Sequence, residues 1–133
     1  MPRILSLDVG EKRIGLAITD ELALLASPYG CIDRAEAIRK LEGIIQKESV
    51  SRLIVGLPYL ENGQAGSQSV DIKKFVELLK RFDLPIEFEN ELLTSVEAAT
   101  RLKAMGKKSI QKGDIDVMAA TIILESYLKG KNG

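Results

Sequence analysis

Two extended runs at the start of the chain constrain its fold more than any other feature. Ile4 to Leu7 is an apolar run closed by a carboxylate at Asp8, and Ile14-Gly15-Leu16-Ala17-Ile18-Thr19 is a second run. The link between them, Val9-Gly10-Glu11-Lys12-Arg13, is short and contains a glycine. Runs this close read as an antiparallel hairpin. Beyond the hairpin, strands and helices alternate. A weaker strand around Ser27 to Ile32 leads into a helix from about Arg34 to Glu48, whose Ile38, Leu41, Ile44 and Ile45 recur at helical spacing. Arg52 to Gly56 is a fourth strand, stopped by Leu57-Pro58, and the stretch Tyr59 to Ser69 is a polar loop bearing Gly63 and Gly66. A second helix from about Ser69 to Phe82 carries the stripe Ile72, Phe75, Val76, Leu79, and Pro85 to Glu89 is a short fifth strand.

Thr94 and Glu97 have the spacing of a capping box for a third helix, which Gly106 ends. A basic loop, Lys107 to Gly113, precedes a last helix from about Ile115 to Lys129. A hairpin followed by alternating strands and helices implies an α/β fold with a mixed sheet covered by helices. With 133 residues, no repeat and no linker, one domain over 1–133 is expected.

Histidine is absent, which removes Ser-His-Asp and Cys-His nucleophiles and histidine-ligated zinc. Catalysis would have to use carboxylates, lysines, hydroxyls or a hard metal. The single cysteine, Cys31, cannot form an internal disulfide, so a reducing compartment fits and a cytoplasmic location is expected. The amino terminus lacks the layout of a signal peptide. No apolar run reaches the roughly 18–20 residues of a membrane span, so no membrane partner is expected. Nineteen Lys and Arg balance nineteen Asp and Glu, which leaves no global basic field for nucleic acid but permits a local patch.

Four places could carry chemistry. Asp8 should project from a strand tip beside the chain reversal, either as a turn former or as a ligand for a cation. Gly10 and Gly15 allow close backbone approach to a phosphate or metal, or simply serve the hairpin. Lys12 and Arg13 beside them could meet phosphates. Gly56 and the loop after it lie at a strand's carboxyl end, where α/β sheets bind ligands. Glu91 falls at the end of the fifth strand, on Asp8's sheet edge if the two strands run parallel. Asp116 opens the last helix, where the helix dipole alone would favour an acid. It shares a stripe with Ala120, Ile123 and Tyr127, and the small Ala119-Ala120 pair would let that helix sit close to the sheet. Three convergent carboxylates without histidine suit Mg²⁺ or Mn²⁺. The neighbouring Lys107, Lys108 and Lys112 would supply phosphate contacts, or form a solvated charge cluster.

These motifs resemble those of a known family. Asp8-Val9-Gly10 with Lys12-Arg13-Ile14-Gly15-Leu16-Ala17, Val55-Gly56-Leu57-Pro58 with Asn62-Gly63, Leu93-Thr94-Ser95-Val96-Glu97-Ala98, and Asp116 ahead of Ala119-Ala120 and Ile123-Leu124-Glu125-Ser126-Tyr127-Leu128 are similar to the YqgF family, also called RuvX, of the RNase H-like superfamily. The resemblance covers nearly the whole chain. It implies an RNase H-like fold with a five-stranded mixed sheet whose first three strands are antiparallel. It also implies a metal-dependent nuclease, with maturation of the 5′ end of pre-16S ribosomal RNA as the family's best-supported role. A Holliday junction resolvase acting on DNA is the alternative, and a non-catalytic nucleic-acid-binding or ribosome-associated factor is another.

Carried over by position, Asp8, Glu91 and Asp116 are the catalytic and metal-binding acids, with Mg²⁺ or Mn²⁺ as cofactor. Gly10, Lys12, Arg13, Gly56, Asn62, Lys107, Lys108 and Lys112 are the expected substrate contacts. The expected partners are an rRNA precursor or branched DNA, and the ribosome, for a monomer or homodimer. Asn90-Glu91-Leu92 stands where the family has Asp-Glu-Arg, so one phosphate-binding arginine is lost. If strand five lies two places from strand one, Glu91 starts about 10 Å from Asp8 at the backbone. That spacing would assign it to a second metal ion.

Overall fold

Antiparallel pairing of β1 (Arg3–Val9) with β2 (Arg13–Thr19) builds the expected hairpin, closed where the Gly10 N–H donates to the Arg13 carbonyl at 2.9 Å. The computed structural model describes residues 3–58, 66–91 and 94–132, so Asn62, Gly63 and Leu92 lie outside the described residues. β3 (Ala26–Asp33) pairs antiparallel with β2, and a 3-10 turn, Arg34–Glu36, leads into α1 (Ala37–Glu48). β4 (Val50–Leu57) then runs parallel to β1, and α2 (Ser67–Leu79) follows. β5 (Ile86–Asn90) runs parallel to β4, and α3 (Thr94–Ala104) and α4 (Lys112–Asn132) complete the chain. The strand order is β3-β2-β1-β4-β5, a mixed five-stranded sheet whose first three strands are antiparallel.

Side-chain alternation divides the sheet into two faces. Leu5, Leu7 and Val9, with Ile14, Leu16, Leu53, Val55 and Leu57, bury one face against Ala37 and Leu41 of α1 and Ile72, Phe75, Val76 and Leu79 of α2. Each of these large side chains contributes about 1.5–3 kcal/mol by leaving water. The opposite face meets α4. There Ala17 and Ile54 pack on Ala120, Ile123, Leu124 and Tyr127, while Ser6 donates its hydroxyl to the Ala120 carbonyl at 2.7 Å. α3 covers the outer side of α4 through Ala98 and Leu102 against Met118, Ala119 and Ile122.

Several details differ from the sequence reading, among them β4, which spans Val50–Leu57, and α2, which begins at Ser67. β1 continues through Val9, so Asp8 lies inside the strand, paired with Gly15, rather than at its tip. α4 begins at Lys112, because the Asp114 carboxylate accepts the Gln111 N–H at 2.8 Å and organises a first turn inside the expected loop. Glu97 pairs forward with Arg101 at 3.5 Å within α3, which itself starts at Thr94. Gly106 closes α3 with φ +81° and the paired bonds Gly106 N–H to Lys103 and Lys107 N–H to Leu102, the Schellman arrangement that only a left-handed residue completes cheaply.

Candidate active site

Asp8 shares its face of β1 with Ser6, so its carboxyl belongs to the α4 side of the sheet, and a glycine stands on each side of it. Gly15 is its partner on β2. A Cβ there would lie 2.0 Å from the Asp116 carbonyl oxygen, so α4 rests on β2 at that point and only glycine permits it. Gly56, one step beyond the Leu7–Val55 pair, occupies the corresponding place on β4. A Cβ at Gly56 would come within 2.5 Å of Ile123 Cδ1 and 2.9 Å of the Glu91 carboxyl.

The space a side chain would fill at Gly56 is occupied by Glu91. Its backbone N–H donates to the Leu57 carbonyl at 3.0 Å, which holds it one residue past β5. From there its buried carboxyl extends over Gly56 and is hydrogen-bonded to Asp8. The separation expected between the two acids therefore exists in the backbone and is closed by the side chain. Burial and the mutual repulsion of two carboxyls push Glu91 up to about 9, while burial pushes Asp8 up to about 6. The hydrogen bond between the two carboxyls raises Glu91 further and holds Asp8 below the value burial alone would give it.

Asp116 stands beside this pair, and its charge contributes to the rise at Asp8. Burial raises Asp116 as well, opposed by Arg13 and Lys112. Its Oδ2 lies 3.5 Å from Arg13 Nε. Among the described residues, no three acid, cysteine or histidine side chains stand as a ready-made metal cluster, because Glu91 faces Asp8 while Asp116 faces Arg13.

A cavity of about 1020 Å³ opens at Asp116, walled by the β1–β2 turn, the start of α2 and Lys112. Gly10, Lys12, Arg13 and Lys112 all line it, and Gly10 is also committed to closing the hairpin. Gly56 differs. It is buried under Glu91 and Ile123 and has no open surface from which to touch a substrate. Lys107 and Lys108 are exposed outside the cavity wall, and Lys107 pairs with Asp114 at 3.5 Å.

The sequence reading missed Arg34 and Asp71. Arg34 donates to the Gly10 carbonyl at 3.0 Å and to both Asp71 oxygens at 2.7 and 3.1 Å, with its guanidinium 5.1 Å over Phe75. It ties the hairpin turn to α2 across the cavity. Its partners are remote in sequence, so no spacing rule could have found them.

The profile of a family described as "RuvX: Holliday junction resolvase" matches residues 2–130. A Crocosphaera subtropica protein named "Putative pre-16S rRNA nuclease" is 43% identical, over 93% of this chain and 90% of its own length. A Bacteroides thetaiotaomicron protein of the same name is 41% identical, over 98% and 99%. Among solved structures, Thermus thermophilus RuvC in complex with a Holliday junction substrate superposes with a TM-score of 0.60 at 9% identity, covering 100% of this chain and 97% of that one. Uncomplexed RuvC of that organism gives 0.58 at 10% identity, over 98% and 96%. These two likenesses concern the fold.

Proposed function

The chain belongs to the RuvX family, and from that premise we propose that it is a metal-dependent nuclease hydrolysing phosphodiester bonds in the 5′ maturation of pre-16S ribosomal RNA. The observation that carries the reading is the carboxyl pair Asp8–Glu91, joined across bare Gly56 and flanked by Asp116 at the mouth of a cavity lined by Lys12, Arg13 and Lys112. The donors are all carboxylate oxygens, which suits a hard divalent cation, Mg²⁺ or Mn²⁺. Two buried acids pressed together call for a positive partner, the part a divalent cation would take.

Asp8, Glu91 and Asp116 are the residues that would hold the cation. When bound it would supply Lewis-acid activation of water and neutralise charge on the phosphate. The chain's own groups do the remainder. Asp8 is held rigid within β1, and Gly56 fixes the direction from which Glu91 approaches. Lys12, Arg13 and Lys112 provide cationic donors for the phosphates of the strand in the cavity. Arg34 braces the turn that carries two of them. No described helix is long and apolar enough to cross a membrane, and the lone thiol Cys31 accords with work in the cytoplasm.

A second reading, cleavage of branched DNA, is favoured by the family's description and by the RuvC-like fold. One assay addresses both. Purified protein is given a 5′-extended 16S precursor or a four-way DNA junction, with Mg²⁺, Mn²⁺ or chelator. Metal-dependent cleavage of the precursor is expected, reduced on the order of a hundredfold or more in Asp8→Asn, the scale on which loss of charge stabilisation acts. Cutting of the junction alone would transfer the assignment to DNA. Full activity in Asp8→Asn would remove Asp8 from the site.

A further inference from the structure

Arg13 carries an anomaly. Its Nε is buried and makes no hydrogen bond, the one such side-chain atom among the described residues. Asp116 Oδ2 stands 3.5 Å away as an ion pair without the alignment of a hydrogen bond, and the Arg13 side chain keeps 31% of its surface exposed on the cavity wall. Buried donors are normally satisfied, so a donor left short beside an acid that has a second task suggests a partner that changes. Asp116 cannot fully serve a guanidinium and a divalent cation together.

We propose that Arg13 and the cation compete for Asp116, and that cation binding releases Arg13 to grip a phosphate of the nucleic acid strand in the cavity. Metal and nucleic acid then bind cooperatively, with Arg13 as the positioning residue that couples them. The proposal rests on the nuclease reading and extends it. The guanidinium suits both states, because its planar fork matches a carboxylate or a phosphate equally well. Lys12 and Lys112, exposed on the same cavity, bind phosphate whether or not the cation is present, so the metal-dependent part of the affinity is divided between the cation's own attraction for phosphate and the released Arg13. Coupling of this kind is reciprocal: whatever factor the cation adds to nucleic acid affinity, nucleic acid adds to cation affinity.

The test measures binding rather than cleavage. A fluorescent phosphorothioate strand carrying the 16S 5′ flank is titrated by anisotropy in chelator and in Mg²⁺. Wild type is expected to tighten about tenfold with Mg²⁺, and Arg13→Gln by about threefold or less, the share left to the cation itself. Arg13→Lys keeps the charge and stem and should fall between them. Calorimetry without nucleic acid should show Arg13→Gln binding Mg²⁺ several-fold more tightly, since its competitor at Asp116 is gone. An undiminished Mg²⁺ gain in Arg13→Gln, or weaker Mg²⁺ binding by that variant, overturns the proposal and leaves the nuclease reading standing. A wild type that binds no Mg²⁺ overturns both.

Discussion

Glu91 reaches Asp8 from two strands away, and the cost of that approach is a carboxyl that resists ionisation. Burial and the neighbouring acid raise its pKa from 4.5 to about 9, so the folded metal-free protein retains a proton that the unfolded chain releases. A group raised in this way supports the fold fully below about pH 4.5, and the support is lost as pH climbs through about 9. Asp8, raised from 3.8 to about 6, acts in the same direction over a lower window. Glu91→Gln keeps the shape and a donor for Asp8 but cannot ionise. In chelator it should therefore be at least as stable as wild type near pH 8, with a flatter decline of stability between pH 5 and 9, while Mg²⁺ binding is lost. Urea denaturation across that range measures the first effect and calorimetry the second. A variant that is less stable at pH 8 and still binds Mg²⁺ would remove Glu91 from the cation site.

At the level of elements, the two glycines beside Asp8 have different work, and substitutions should separate them. A methyl at Gly15 meets the Asp116 carbonyl at 2.0 Å and Val117 N at 2.7 Å, so α4 as a whole must lift from β2. Gly15→Ala should cost roughly 1–3 kcal/mol or more, as overpacking does, and lower the melting temperature visibly. At Gly56 the obstacles are the ends of side chains, Ile123 Cδ1 and the Glu91 carboxyl, which can give way. Gly56→Ala should lose less stability than Gly15→Ala but more Mg²⁺ affinity, because Glu91 is the group displaced. Melting curves and Mg²⁺ titrations of the two variants side by side test this. The elements themselves were legible because their signals are local. The stripes Ile38-Leu41-Ile44-Ile45 and Ile72-Phe75-Val76-Leu79 pack where their periodicity directs them, and Ala120, Ile123 and Tyr127 do so on α4. The meeting of Asp8 with Glu91 was not legible. A sequence shows how far apart two strands lie, but not that a bare glycine between them opens a path for a side chain. The same limit hid the Arg34–Asp71 brace and the way Glu91 fills the space beside Gly56.

For the whole molecule, the site makes stability, pH and metal a single linked quantity. The sheet supplies a rigid frame in which β1, β4 and β5 bring two acids together, and α4 brings a third beside an arginine. Such a frame is most strained when the carboxyls are deprotonated and no cation is present. Divalent metal should therefore stabilise the protein more as pH rises, since at low pH it must displace the proton held by Glu91. An ion at about a hundred times its Kd adds about 2.7 kcal/mol to the folded state. At roughly 4 °C per kcal/mol for a domain of this size, the melting temperature should rise by roughly 10 °C. The rise should be large at pH 8.5 and small at pH 5.5, and Asp8→Asn should lose most of it at both. Thermal melts at the two pH values, with chelator and with saturating Mg²⁺, measure all of these quantities together. A metal-induced shift that is independent of pH would mean that the cation binds away from the Asp8–Glu91 pair, on exposed acids that hold no proton for it to displace.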